Sequence, residues 1–454
     1  MFENVIGQSA VASLKRDITG NGLAPSMLFT GPEASGKGTS ALELARILTC
    51  AESSAPWNCT CSSCLHHKSL SSPDMMILGP RNFSAEIAAA KAAFLQDQSA
   101  VSTRFLFFRQ IKKLLLRFAP DIMNEDLKVS KLNSMLESIN EDIEEFFFMA
   151  NQTDIDHDAK IKQEEKIIKI CAKLEKTALK LEAEGIAENI PVLHVRNVSY
   201  WLRLKPQGKK KVLIMENADK MQDAARNSLL KILEEPPESS VIILTTKNPQ
   251  ALIPTILSRL RQYHFVKRTS EAELEVLQRV YKYKVNQDIA KAVTVKKHID
   301  SFMPVSADTV YYASAYFLFS MLSLQTLQAP QKNNNTNIVI SAVIDYCKKI
   351  TSKTDVQETE MNKAHNINTI CAAVIKMADK FEVRSTFTAF LSSLCTVLSE
   401  SLASVTNTGK TISLRQTILT HAENARLAVE IYNQSPSLVL EQLCYNLKSS
   451  VQKI

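Results

Sequence analysis

The sequence predicts an α/β fold: a parallel sheet with flanking helices, followed by a small helical segment and an all-α C-terminal region. Three observations predict it. Two short apolar runs rich in branched residues, Val212-Leu213-Ile214-Met215 and Val241-Ile242-Ile243-Leu244, are bounded by polar residues, the pattern of strands buried on both faces. Between them Ala224, Ala225, Ser228, Leu229, Ile232 and Leu233 recur on one helical face until Pro236-Pro237 ends the helix. Strand, crossover helix, strand is a parallel unit, and its polar residues cluster where the strands end. From Ser306 onwards the chain is mostly amphipathic helices, with polar loops expected at 331–337 and 352–357.

Length and charge set outer bounds. A chain of 454 residues has room for two or three domains. Its 45% hydrophobic and 22% charged content is ordinary for a globular protein, and only ten glycines favour a largely helical one. A net charge of +7 permits nucleic-acid contact without requiring it. No apolar run approaches the roughly 20 residues of a membrane span, and MFENVIGQ lacks the basic-then-apolar layout of a signal peptide. Nine cysteines, four of them between Cys50 and Cys64, suit a reducing compartment with a metal site better than a disulfide framework. The expected location is the cytoplasm, with no membrane partner. Cys171, Cys347, Cys371, Cys395 and Cys444 sit in apolar helical contexts and are expected to be core.

In chain order, Phe2 to Leu23 predicts an amphipathic helix with Val11, Leu14 and Ile18 on one face, followed by the strand Met27-Leu28-Phe29. Next come Gly31-Pro-Glu-Ala-Ser-Gly36-Lys37-Gly38-Thr39 and a helix from Ala41 to Leu48. Strand, glycine-containing loop, helix is the context of a phosphate-binding P-loop. Its glycines turn backbone N–H groups towards phosphates, and the helix N-terminus adds positive potential. Lys37 would reach the β/γ-phosphates of ATP. The hydroxyl that usually follows the lysine and binds Mg²⁺ is missing: Gly38 stands there, with Thr39 one place later. The same GKGT step occurs in nucleoside monophosphate kinases, and an empty loop that only joins sheet to helix is the other reading.

Cys50, Cys59, Cys61 and Cys64 then lie close enough in sequence to supply four thiolates to one tetrahedral Zn²⁺. The single residue between Cys59 and Cys61 is a tight step, so His66 or His67 could replace one thiolate. Four protein ligands leave no open position, which makes the expected zinc structural. Ser72-Pro73-Asp74 opens a strand, Met75 to Leu78. Residues 84–188 are helical by pattern, with Phe105, Phe108, Ile111, Leu115 and Phe118 on one face, then a run from Ile161 to Ala187. That run interleaves Lys160, Lys162, Lys166, Lys169, Lys173, Lys176 and Lys180 with Glu164, Glu165, Glu175, Glu182 and Glu184, the signature of a solvated helical hairpin.

The segments NADKM, SLLKILEEPP and TTKNPQALIPTILSR resemble the AAA+ module of bacterial clamp loaders, the DNA polymerase III gamma/tau and delta prime subunits. The resemblance covers residues 1–84 and 188–454 and is strongest from 206 to 260. It implies a P-loop AAA+ core over 1–265, a helical lid over 266–305 opened by Ser270 as helix cap, and a helical collar over 306–454. It implies structural zinc on Cys50, Cys59, Cys61 and Cys64, although those subunits space their cysteines C-x8-C-x2-C-x2-C. About 100 inserted residues have no counterpart in the resembled module; a docking arm, a DNA-contacting arm and a plain surface hairpin are all open. The segment IYNQSPSLVLEQLCYNL is similar to the collar, where five such domains form a ring.

The same resemblance implies what chemistry has been lost. A working AAA+ ATPase ends the strand at Val212 with Asp-Glu, one holding Mg²⁺ and the other polarising the attacking water; Glu216 and Asn217 stand there. An amide cannot accept a proton from water. Ser258-Arg259-Leu260 is similar to the Ser-Arg-Cys box whose arginine reaches the γ-phosphate bound by a neighbouring subunit, and Thr245 and Thr246 fall at the sensor position. The Gly-Ser-Arg pattern of motor subunits is absent from Ala290 to Phe302. The implied role is a delta prime-like stator without its own ATP hydrolysis, placed in a ring with gamma/tau and delta subunits that loads the sliding clamp on primed DNA. The alternatives are a gamma/tau-type ATPase, a P-loop nucleotide kinase and a zinc-bearing nucleic-acid-binding module.

Overall fold

Four strands, β1 (Ser26–Thr30), β2 (Met75–Leu78), β3 (Lys211–Met215) and β4 (Ser240–Thr246), are buried at every position. Their branched and sulfur-containing side chains fill both faces of the sheet, as continuous apolar runs require. A fifth, β5 (Arg261–His264), buries only Tyr263 and forms an edge. The order is β2-β3-β4-β1-β5 with every pair parallel. All five carboxyl ends therefore lie on one edge, where ligand sites of such sheets are built. This computed structural model describes residues 1–81, 83–123, 129–150, 157–187, 189–284, 293–302, 307–328, 334–351, 367–377, 384–403, 409–430, 432 and 434–451. Among them no helix is long and apolar enough to cross a membrane.

The described residues form two compact units, Met1–Phe302 and Met303–Ile454. In the first, α1 (Ala10–Thr19) precedes β1, α2 (Lys37–Thr49) and α3 (Ser62–Lys68) follow it, and β2 leads into a helical insertion. The insertion comprises α4 (Phe83–Gln96), α5 (Val101–Leu115), a 3₁₀ turn (Leu116–Phe118), α6 (Pro120–Met123) and the antiparallel pair α7 (Val129–Ala150) and α8 (His157–Gly185). Then α9 (Val192–Arg203) leads to β3, α10 (Asp223–Glu234) to β4, and α11 (Pro254–Leu257) to β5. The unit closes with α12 (Ser270–Tyr281) and α13 (Val295–Asp300).

Several local expectations change. The helix expected from Phe2 begins only at Ala10. Phe2 and Gly7 hold positive φ angles of 60° and 67°, and a Cβ on Gly7 would lie 2.7 Å from that of Ala272, so the segment packs as a turn against α12. The P-loop helix starts at Lys37, four residues before its expected start. Thr269, not Ser270, caps α12 by accepting from the Ala272 N–H at 3.3 Å. On α10 Ala225, Leu229, Ile232 and Leu233 are buried, whereas Ala224 is exposed.

The insertion differs more. Its helices do form a hairpin, and Lys162, Lys166, Lys169, Lys173, Lys176 and Lys180 are exposed on α8. Yet Phe107, Ile111, Ile139, Phe146, Cys171, Leu174 and Leu181 are buried in the same apolar cluster as Leu213 and Ile242 of the sheet. Phe105 is 39% exposed instead of core, because the buried face of α5 runs through Phe107, Phe108, Ile111 and Leu114. The side chain of Lys160 lies outside the described residues.

The second unit holds helices Ala307–Gln328, Asn334–Thr351, Ile367–Met377, Arg384–Leu402, Gly409–Glu430 and Pro436–Val451. Helix has already begun at Asn334, within the stretch expected as polar loop; the loop expected at 352–357, like Ile431 and Asn433 of the collar-like segment, lies outside the described residues. Its core is aliphatic and aromatic, with Phe317 and Phe390 edge-to-face at 5.5 Å. Cys347, Cys371 and Cys444 are buried there, Cys395 is half-buried, and Cys171 is buried in the first unit.

Candidate functional site

At the carboxyl edge of β1 the loop has the geometry its glycines predict. Gly31 and Gly36 take φ angles of 145° and 96°, and a Cβ on Gly31 would lie 2.2 Å from the Phe265 carbonyl oxygen. No other residue fits there. Lys37 turns back on its own loop: Nζ donates to the Gly31 and Pro32 carbonyls, each at 2.6 Å. Burial pushes its pKa down to about 8. Glu33 pairs with Lys247 at 2.7 Å and with Lys296 of α13 at 3.1 Å. Against the burial that would raise it, those two lysines hold Glu33 at about 2. Arg268 donates to the Ala34 and Ile6 carbonyls, bracing the loop from the β5–α12 connection. Thr39 is exposed.

The end of β3 carries the decisive arrangement. Glu216 is buried, and its carboxylate accepts from Arg81 Nη1 at 2.5 Å and from Arg117 Nη2. Arg81 also pairs with Glu86 of α4 at 2.6 Å. Burial would raise the Glu216 pKa; the charges of Arg81, Arg117 and Lys113 overcome it and hold the group at about 2. A Cβ on Gly38 would lie 2.8 Å from Glu216 Oε1 and 3.2 Å from Arg81 Nη1. The missing hydroxyl residue and the carboxylate are thus parts of one packing solution. Asn217, in the left-handed region at φ 50°, donates through Nδ2 to the Pro80 carbonyl at 2.7 Å. Thr246 Oγ1 donates to Asp219 at 2.5 Å and accepts from the Asn248 N–H at 3.0 Å.

These residues do not fit Mg²⁺–nucleotide. The carboxylate that would hold the cation is paired with two guanidinium groups, the lysine is bound by its own loop, and no base stands at Asn217. The expected cofactor set Gly31, Gly36, Lys37, Gly38, Thr39, Glu216 and Thr246 is brought to one edge, but Lys37, Glu216 and Thr246 are engaged internally while Thr39 is exposed. Arg259 is different. One-third exposed, it donates through Nη2 to Glu234 at 2.7 Å and through Nη1 to the Thr255 carbonyl at 2.7 Å. Ser258 Oγ donates to the same carbonyl at 3.1 Å.

The cysteine cluster sits beyond α2. Cys50 follows that helix, Cys61 caps α3, and Cys64 lies within it. One sulfur from each of Cys50, Cys59, Cys61 and Cys64 lies within 4.8 Å of all the others, with Cys50–Cys59 at 3.7 Å and Cys50–Cys64 at 3.4 Å. Tetrahedral Zn²⁺ with bonds of about 2.3 Å sets its sulfurs about 3.8 Å apart. The donor set fits a metal, and the tight Cys59–Cys61 step does not prevent convergence. His66 and His67 are not in the set; His67 is buried, and burial pushes its pKa down to about 4. Arg46, itself buried and paired with Glu43 at 2.6 Å, donates to Cys64 Sγ at 3.0 Å and to the Ala55 and Pro56 carbonyls. It ties the cysteine loop to α2 and offsets thiolate charge.

The family model for DNA polymerase III, delta subunit, matches residues 6–269, more than half of the chain. The chain belongs to this family. This DNA polymerase III subunit chain is 38% identical over 100 residues to the DNA polymerase III subunit delta′ of Pseudomonas aeruginosa, covering 22% of this chain and 30% of that relative. It is 46% identical over 56 residues to the delta′ subunit of Bacillus subtilis, covering 12% and 17%. To the gamma/tau subunit of Mycobacterium bovis it is 42% identical over 59 residues, covering 13% and 10%. The matched stretches span less than a third of each relative's length. A solved gamma subunit-related protein of Thermotoga maritima aligns at 17% identity with a TM-score of 0.29, over 58% of this chain and 81% of that one; nothing rests on it.

Within this DNA polymerase III family chain, two site residues had no signal in the sequence. Arg81 follows β2 outside any motif, and Arg117 comes from the insertion, 99 residues before the carboxylate it meets. The only local hint was Gly38 itself, since a glycine at a helix start asks what occupies the missing side chain's space.

Proposed function

We propose that this chain is a delta prime-like subunit of the DNA polymerase III clamp loader, silent at its own nucleotide site and acting on a neighbour's. Arg259, followed by Leu260 and positioned by Ser258 and α11, would reach the γ-phosphate of ATP held by an adjacent gamma/tau-type subunit. A planar, permanently charged guanidinium suits charge developing there. The ring of this chain with gamma/tau and delta subunits would load the sliding clamp on primed DNA in the cytoplasm. Cys50, Cys59, Cys61 and Cys64 would hold a structural Zn²⁺ that fixes the loop after α2.

The observation that carries this reading is the pairing of Glu216 with Arg81 and Arg117, beside an Asn217 whose amide is bound to the Pro80 carbonyl. A carboxylate so neutralised is a poor cation ligand, and an amide cannot serve as general base. The relatives named delta′ and the arginine of the Ser258-Arg259 step support the assignment to a subunit that gives rather than uses a finger. The test is turnover of Mg²⁺–ATP by the isolated full-length chain, together with size-exclusion analysis of its mixture with gamma/tau and delta subunits. No turnover and a stable mixed complex are expected; turnover by the isolated chain, or failure to join the complex, contradicts the proposal.

A further inference from the structure

The insertion meets the nucleotide edge part-way along, through Arg117, and its last helix closes back on its first. Arg117, in the 3₁₀ turn after α5, has a side chain only 4% exposed and reaches Glu216, with its guanidinium 5.3 Å from the ring centre of Phe83. Near the insertion's C-terminal end, Glu182 of α8 accepts the N–H groups of Phe83 at 2.9 Å and Ser84 at 2.7 Å. Those amides open α4, and Arg81 stands just before them, between Glu86 and Glu216. Lys113 of α5, half-buried, adds a third positive charge acting on Glu216. Arg81 and Arg117 thus occupy the Glu216 carboxylate, and Arg81 also holds Glu86, so a metal cation approaching Glu216 meets two guanidinium charges at the oxygens it would need. Gly38 closes the arrangement, because the side chain that would ligate a cation has no room beside Glu216.

We propose that the insertion is a built-in lock on the nucleotide site: Arg81 and Arg117 stand in for the divalent cation, so the core holds one conformation without ligand and excludes Mg²⁺–nucleotide. The inserted helices, on this account, replace a bound nucleotide as the brace between β2, β3 and α4. Their buried side chains belong to the same apolar cluster as Leu213 and Ile242 of the sheet, as a brace requires. The inference rests on reading the chain's own site as silent, and it adds the cause.

The test is thermal unfolding of the full-length chain with and without Mg²⁺–ATP, and with ATP in EDTA, for the wild type, Arg81→Ala/Arg117→Ala, and that pair combined with Glu216→Ala. The wild-type midpoint is expected to stay within about 1 °C, whereas the double variant, with Glu216 released, rises by about 3 °C or more with Mg²⁺–ATP and not in EDTA. The triple variant should lose that response. Should the double variant be too unstable to purify, Arg81→Gln carries the same comparison. A wild-type response of about 3 °C, or no Mg²⁺-dependent gain in the unlocked variant, overturns the lock. A wild type that binds Mg²⁺–ATP without hydrolysing it overturns the lock alone; a wild type that hydrolyses it overturns both readings; a lock that holds in a chain that fails to join gamma/tau and delta subunits overturns the delta prime-like reading alone.

Discussion

Glu216 has two guanidinium groups where most carboxylates have water, and this sets its behaviour. Burying a charge costs free energy unless it is paired, and removing one partner of a buried pair leaves the other stranded. Glu216→Gln is therefore expected to destabilise the first unit by roughly 3–5 kcal/mol, read as a lower denaturant midpoint. Its pH dependence has a definite sign. The folded pKa, about 2, lies below the ordinary 4.5, so the stabilisation is full above about 4.5 and is lost as the pH falls towards 2. The acid limb of a stability profile should be shallower in Glu216→Gln than in the wild type. Gly38→Ser would restore the hydroxyl usual in P-loops, yet its Cβ would meet a carboxylate that two arginines prevent from moving. It should cost about 1–3 kcal/mol by overpacking and restore no hydrolysis; a gain in stability would refute this packing account.

At the scale of elements, the strands were legible because burial on both faces selects apolar residues, and β3 (Lys211–Met215) and β4 (Ser240–Thr246) contain the expected runs Val212–Met215 and Val241–Leu244, extended by one to two buried polar residues at their ends. The helix before Pro236-Pro237 was legible for the same reason, through its period. Boundaries were not, where tertiary contact overrides local preference: α1 is cut short by the close packing of Gly7 on Ala272, a contact 265 residues away in sequence. The cysteine loop was legible by residue type, and its convergence only in three dimensions. Its metal should be measurable. The full chain is expected to carry one zinc per molecule, and a strong chelator should lower its unfolding midpoint, because ligand binding to the folded state is folding free energy. Trp57 reports the change directly, since Arg46 and Lys68 stack over its ring at 5.6 and 5.2 Å and Lys68 also donates to the Cys59 carbonyl. A chain free of zinc, with fluorescence and midpoint indifferent to chelator, would remove the metal from the account.

At the scale of the molecule, the fold class and the sharing of residues between an α/β unit and a helical one follow from the hydrophobic pattern. The tie between the insertion and the site does not. Patterns along a helix tell which face is buried and never against what, so Arg117 gave no sign of its partner until the chain was folded. The nucleotide edge combines a preserved loop with polar groups directed inward, while Arg259 remains at the surface on an exposed pair with Glu234. Such pairs contribute about 0–1 kcal/mol, so Arg259→Ala should fold as the wild type does, within about 1 kcal/mol. That makes it the cleanest probe of the proposed role. The measurement is ATP turnover by the reconstituted clamp loader, with Arg259→Ala introduced in this chain alone. The account predicts a loss of roughly tenfold or more, about 1.4 kcal/mol of barrier, with the complex still assembled. Unchanged turnover in an intact complex would contradict it.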